Sequence, residues 1–255
     1  MKKLIIPAIT ILLGFCCQNS FSQETVQTEL QKARELAMQG QKEQASAILV
    51  NIMASNPDNK AAVQYWLMAN MKRSPTGEID AVKQLDSLGT FYPNNTGIIF
   101  FKNFILAEYG KNDEALAGFD KLIQMQPDTA VNYIAKGQVL SSMGRNQEAF
   151  TAFEKATTLD PTRFDVWGMK ASVLARLNRF DEALVAINKG IDLSPDYAGN
   201  IYNRACIYCL KGDKTNALAD LQKSVEKMPQ LKQHARTDED FKNLWDDEDF
   251  KKITQ

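Results

Sequence analysis

Residues 149–195 read AFTAFEKATTLDPTRFDVWGMKASVLARLNRFDEALVAINKGIDLSP. Within this stretch Ala149, Phe153 and Pro161 return as Ala183, Ile187 and Pro195, each 34 residues later. The apolar residues between them recur at helical intervals, as in amphipathic helices. Each proline stands where a helix must stop, because proline has no N–H to give and its ring blocks the preceding turn. A sequence that repeats this pattern at a fixed period is built of structural repeats, and a repeat decides the fold before any local feature does.

The register continues on both sides. The proline series is Pro93, Pro127, Pro161, Pro195 and Pro229. Alanine follows it at Ala81, Ala115, Ala149, Ala183 and Ala217. A larger apolar series runs through Leu85, Phe119, Phe153, Ile187 and Leu221. Three series at one period define units at 62–95, 96–129, 130–163, 164–197 and 198–231. A further unit lies upstream at 26–59, with Ala33, Gly40, Ala45, Leu49 and Pro57 in matching places, and Lys60 and Ala61 are inserted after it. Small residues at Ala33, Ala69, Gly137, Ala171 and Ala205 mark where a first helix crosses a second closely. Gly40, Gly110, Gly144 and Gly212 fall in the turns between helices, where positive φ is needed. Two places depart from the pattern. Asn103 takes a small-residue position, and Pro75 with a displaced Gly77 predicts a looser corner near 72–78.

This pattern resembles the tetratricopeptide repeat, a 34-residue helix–turn–helix. The resemblance implies an all-α fold, a right-handed α-solenoid of six such repeats over 23–231. One repeat cannot bury its apolar face alone, and the end of a solenoid needs a polar-faced lid. Residues 232–255 suit that role, with Phe241, Leu244, Trp245, Phe250 and Ile253 spaced for short amphipathic helices. This segment is also similar to the one that ends a group of such repeats. Thr237 with Asp240 reads as a capping box, and Asp246 with Asp249 as the start of a second short helix.

The first 22 residues differ in kind. Lys2 and Lys3, an apolar run from Leu4 to Phe15, and Ser20-Phe21-Ser22 have the form of a secretory signal cleaved after Ser22. The run is too short for a comfortable membrane span and contains Pro7. Cys16 and Cys17 raise lipidation, but Phe15 stands where a lipobox wants a small residue. The expectation is an exported protein, periplasmic or secreted, with no integral span after cleavage. Only Cys206 and Cys209 then remain, too few for a disulfide framework.

Little chemistry is on offer. The charge of −1, with no basic block, gives nucleic acid no electrostatic hold. His234 stands alone, and neither a glycine-rich phosphate loop nor a metal-binding histidine pair is present. The run Asp246–Asp249 lacks the glycine and spacing of a calcium loop and suits a helix start. Cys206-Ile207-Tyr208-Cys209 is the single motif able to carry a reaction, by thiol–disulfide exchange. Its place in mid-helix favours packing. Asn94-Asn95-Thr96 matches a glycosylation sequon. No enzyme activity, cofactor, catalytic residue or metal site is expected.

The resemblance implies a partner, protein or peptide, held in a concave groove lined by first helices. Carried over place by place, the groove residues are Trp66, Asn70, Phe100, Phe104, Ile134, Gln138, Ser172, Arg176, Tyr202 and Cys206. Family members that clamp a carboxylate do so with cations and asparagines; here the third and fourth units have no cation at those places. An apolar or aromatic segment suits Trp66, Phe100, Phe104 and Ile134 better than an acidic tail. The alternatives are a subunit of an envelope assembly docking through its convex face, and a thiol–disulfide enzyme using Cys206 and Cys209.

Overall fold

The computed structural model describes residues 23–70 and 77–255. The expected signal segment, and Pro75 with most of the expected loose corner, lie outside these residues. Two compact units divide the chain, one ending at Ile98 and one running from Ile99 to Gln255. Among the described residues there is no strand.

The first unit holds α1 (Gln23–Met38), α2 (Lys42–Ser55), α3 (Lys60–Asn70), α4 (Gly77–Phe91) and the first turn of α5 (Thr96–Glu108). Ala33, Ala45, Leu49 and Met53 are fully buried where α1 meets α2. Asn95 fastens the entry to α5: its side chain donates to Met53 O (3.1 Å) and accepts from Ile98 N–H (2.9 Å). Thr96 Oγ1 donates to Asp58 Oδ1 (2.9 Å), so the sequon threonine is engaged while Asn94 is exposed.

The second unit holds the rest of α5, then α6 (Asn112–Met125), α7 (Ala130–Ser142), α8 (Asn146–Leu159), α9 (Phe164–Arg176), α10 (Phe180–Leu193), α11 (Ala198–Lys211) and α12 (Lys214–Lys227). The cap follows: α13 (Leu231–Ala235), a 3-10 turn (Glu239–Leu244) and α14 (Glu248–Thr254). From α6 to α12 each helix packs against the next.

Each end of a helix has a visible cause. The residue before a proline is driven out of the α region by the ring. Asn56, Gln126, Asp160, Ser194 and Met228 have φ of −136 to −145° and ψ of 73 to 88°, and each donates its N–H to the carbonyl four residues back. The turns inside each pair need positive φ. Gly40, Gly110, Gly144 and Gly212 supply 72 to 87°. In the fifth unit Asn178 fills that place at φ 58°, which asparagine tolerates better than most residues.

Packing follows the three series. Ala81, Ala115, Ala149, Ala183 and Ala217 are buried to 2% exposure or less. Leu85, Phe119, Phe153, Ile187 and Leu221 are equally enclosed. The small residues of the first helices have a geometric reason. A Cβ on Gly137 would sit 2.8 Å from the Phe153 ring, so the glycine makes room for the phenylalanine of its own pair.

The irregular Asn103 is resolved across the same kind of contact. It is 3% exposed, and its amide lies over Gly118 of α6, where a Cβ would come within 2.0 Å of Asn103 Oδ1. Bulk has moved from the second helix to the first. Asn103 Nδ2 is left buried without a hydrogen-bond partner among the described residues.

The cap closes the last pair. Phe241, Leu244 and Phe250 are buried with Leu221, Val225 and Tyr202, and Trp245 and Ile253 pack at the edge. The Phe241 ring meets Tyr202 edge-on at 5.5 Å and Phe250 at 5.7 Å. Lys214 of α12 ties the segment down through Asp247, and Arg236 closes the segment on itself at the Thr254 carbonyl. The caps themselves lie one residue later than expected. Asp238, not Thr237, accepts from Asp240 N–H (3.1 Å), while the Thr237 hydroxyl donates back to His234 O. Asp247, not Asp246, accepts from the N–H groups of Asp249 and Phe250. In both cases the carboxylate nearer the first turn reaches the free N–H groups.

Replacement G118A should lower stability by roughly 2 kcal/mol through overpacking against Asn103. The double replacement N103A/G118A should recover most of that loss. Urea midpoints of the parent, both single variants and the pair give the coupling; simple additivity would disprove the swap.

Candidate functional site

The second unit carries an open cleft of about 630 Å³ bounded by α9, α11 and the cap. Helix α9 supplies Asp165, Met169, Ser172 and Arg176, spaced so that all lie on one face. Helix α11 supplies Gly199, Tyr202, Asn203, Cys206 and Leu210 in the same way. The third wall is the cap, with His234 and the run Thr237 to Asp240.

Four of the sequence-derived groove residues therefore meet in one place: Ser172, Arg176, Tyr202 and Cys206. Ser172 is half-buried, with its hydroxyl bonded to Gly168 O (3.1 Å). Arg176 is exposed and reaches Ser141 Oγ (2.9 Å), which holds it against α7. Tyr202 is 4% exposed and donates its hydroxyl proton to Asp238 Oδ2 (2.7 Å). Burial and that neighbouring carboxylate push the phenol far above its usual range.

The other sequence-derived residues stand elsewhere. Trp66 and Asn70 are half-buried on α3 in the first unit, where Asn70 Nδ2 bonds Ser46 Oγ (2.8 Å) and Trp66 O (2.9 Å). In the second unit Phe104 is 43% exposed and Gln138 is exposed. Phe100 is half-buried, its ring edge-on to Phe119 (5.7 Å) and Phe101 (5.5 Å). Ile134 is 5% exposed and belongs to the core.

The cap makes the cleft acidic. Asp165 is already engaged by Arg163 through two hydrogen bonds of 2.8 and 2.6 Å, which hold its carboxyl below the ordinary range. Glu239 is paired with Lys242 (3.3 Å), whereas Asp238 and Asp240 have no lysine or arginine bonded to them among the described residues. Burial, and then the Asp238 charge, raise the Asp240 carboxyl above its ordinary value, partly offset by Arg176. His234 Nε2 is 3.6 Å from Asp238 Oδ2.

The two cysteines sit one turn apart on α11, both buried and free. Burial, then the charges of Asp238 and Asp240, drive the Cys206 thiol well above its usual pKa. Burial, then Asp240 and Asp238, push Cys209 up to about 11. These are thiols, not thiolates, at neutral pH. Asp238, Glu239 and Asp240 were not among the expected site residues. The sequence places them in the cap, and no period links the cap to α11. A cluster of Cys206, Asp238 and Asp240, with ligand atoms within 4.8 Å of one another, is likewise invisible in linear spacing.

Comparison with known proteins fits this geometry. The tetratricopeptide repeat family model matches residues 130–163 and 164–197. Solved structures share the fold: PilF of Pseudomonas aeruginosa (TM-score 0.61, 16% identity, 87% of this chain and 96% of that chain); MamA of Desulfovibrio magneticus RS-1 (0.56, 18%, 61% and 88%); and YrrB, described as a TPR protein with an unusual peptide-binding site (0.53, 19%, 71% and 98%). A search of curated proteins by sequence finds no match. Residues 130–197 are thus tetratricopeptide repeats, and the chain that carries them shares the fold of these solved structures.

Proposed function

We propose that this chain is a non-enzymatic protein–protein interaction scaffold, exported to the periplasm or cell exterior, that holds a peptide or extended segment of a partner in the groove lined by its first helices. The observation that carries this reading is the convergence of Ser172, Arg176 and Tyr202 on one cleft, from two first helices and the cap beside them. The peptide site named for YrrB, on the same fold, supports it. Exposed Phe104 and Gln138 on earlier first helices extend the candidate surface. An acidic tail would meet Asp238, Glu239 and Asp240, so a neutral or basic segment with an apolar or aromatic anchor fits better. No described helix is long and apolar enough to cross a membrane.

The raised thiols weigh against the redox alternative, because the thiolate is the attacking form. Alkylation of Cys206 and Cys209 in the folded protein should be slow at pH 7 and should rise steeply only toward the pKa of about 11 at Cys209. Rapid modification of either cysteine at neutral pH, followed by mass spectrometry, would revive the redox reading.

A photo-reactive side chain at position 176, on the cleft, should form partner adducts in envelope extracts. The same group at position 185, where Val185 is 73% exposed on α10, should not. The reverse pattern would favour docking through the second helices. Replacement F104A should weaken partner capture about tenfold or more with an unchanged melting temperature. F100A should instead lower the melting temperature, since the Phe119 edge contact is lost. Export is checked by intact mass: the native protein should begin at Gln23.

A further inference from the structure

The cleft has a feature that peptide binding does not require. On α11, Cys206 is 6% exposed, and among the described residues its only side-chain partner is Asp238 Oδ2, at 3.9 Å. Asp240 lies in the 3-10 turn of the cap, and Asp238 caps its start. The sulfur and one oxygen from each carboxylate all lie within 4.8 Å of one another. Two oxygens and a thiol sulfur in one place are three donors waiting for one cation. Neither carboxylate has a lysine or arginine bonded to it among the described residues; Arg176 is bound to Ser141 instead.

The donors are held rather than loose. Asp238 Oδ1 accepts from Asp240 N–H (3.1 Å), which fixes the turn, and Asp238 Oδ2 accepts from the Tyr202 hydroxyl (2.7 Å), which aims the carboxylate at α11. The sulfur is already in place because the helix is packed around it. Neighbouring ligands of a tetrahedral zinc site, with bonds of ~2.0 to 2.3 Å, stand about 3.6 Å apart. The 3.9 Å between Cys206 Sγ and Asp238 Oδ2 is close to that.

We propose that Cys206, Asp238 and Asp240 form a binding site for a divalent cation of the zinc class. The chemistry of the set chooses the occupant. Calcium and magnesium take oxygen donors and have no use for sulfur. An ammonium or guanidinium group from a partner would pair with the carboxylates and leave the thiol idle. A borderline ion uses all three, and thiolate with carboxylate suits zinc and its neighbours. On binding, the thiol proton passes to solvent and the sulfur bonds the metal. All three residues line the cleft, so a fourth place stays open to solvent. His234, on the same rim, is the nearest imidazole. The site joins the end of the solenoid to its cap, and an ion there would tie α11 to the 3-10 turn.

The test uses the purified protein and cobalt(II) alone, so its outcome is independent of any partner. Cobalt should give a near-ultraviolet thiolate-to-metal charge-transfer band that saturates at one ion per chain and is displaced by zinc. C206S should abolish the band, and C209S should leave it intact. D240N should weaken cobalt binding at least ~10-fold, and Y202F, which frees Asp238, about 10-fold. Zinc should raise the melting temperature of the parent and not of C206S. Absence of the band in the parent, its survival in C206S, or its loss in C209S would each overturn the assignment. A parent that shows no band yet binds a lysine-rich peptide through D240-dependent contacts would assign the carboxylates to a basic segment instead.

Discussion

Close approach of two helices within a pair is the constraint on which everything else rests. A helix can press against its neighbour only where side chains at the crossing are small. The five alanines from Ala81 to Ala217 provide that on the second helices, and Ala33, Ala69, Gly137, Ala171 and Ala205 on the first. Once the backbones are close, the large residue four places on from each alanine is enclosed completely. Phe153 lying over Gly137 shows both halves of the arrangement in one contact. Within the second unit, stacking then makes the core continuous from pair to pair, and the prolines keep each second helix to its length.

What was legible in the sequence was whatever repeats. Period and residue size gave helices, pairs, turns and the inward-facing series, because each of these is set by local geometry. The sequence was less informative where a position was solved by a partner elsewhere in the chain. Asn103 stood out as an exception, but its answer lay fifteen residues away at Gly118, a substitution that on its own reads as an ordinary small residue. Asn178 stands outside the glycine series of the turns, although asparagine also accepts positive φ. The cap helices are legible in the sequence but their exact caps are not, since Thr237 and Asp246 satisfy the same pattern as Asp238 and Asp247.

The candidate site divides in the same way. The resemblance to the tetratricopeptide repeat names Ser172, Arg176, Tyr202 and Cys206, carried over place by place, and they fall on the faces of α9 and α11 that line the cleft. Their acidic counterpart could not be named this way, because nothing in the sequence says how a non-repeating segment folds back on the last pair. That segment has two physical roles. It covers apolar surface with Phe241, Leu244 and Phe250, and it presents Asp238 and Asp240 to α11 through a turn three residues away from the buried ring of Phe241. Lid and wall are one piece of chain.

The exchange of bulk between Asn103 and Gly118 also carries a history. With any side chain at 118, an asparagine at 103 must shift its amide, since even a Cβ would overlap it. Glycine at 118 with a small residue at 103 costs only a missing methyl group and some helix propensity. The pair is therefore reached at lower cost with glycine first, and left at lower cost with asparagine first. Each residue now favours the other, and leaving the pair by the easier route opens the hole that the asparagine fills.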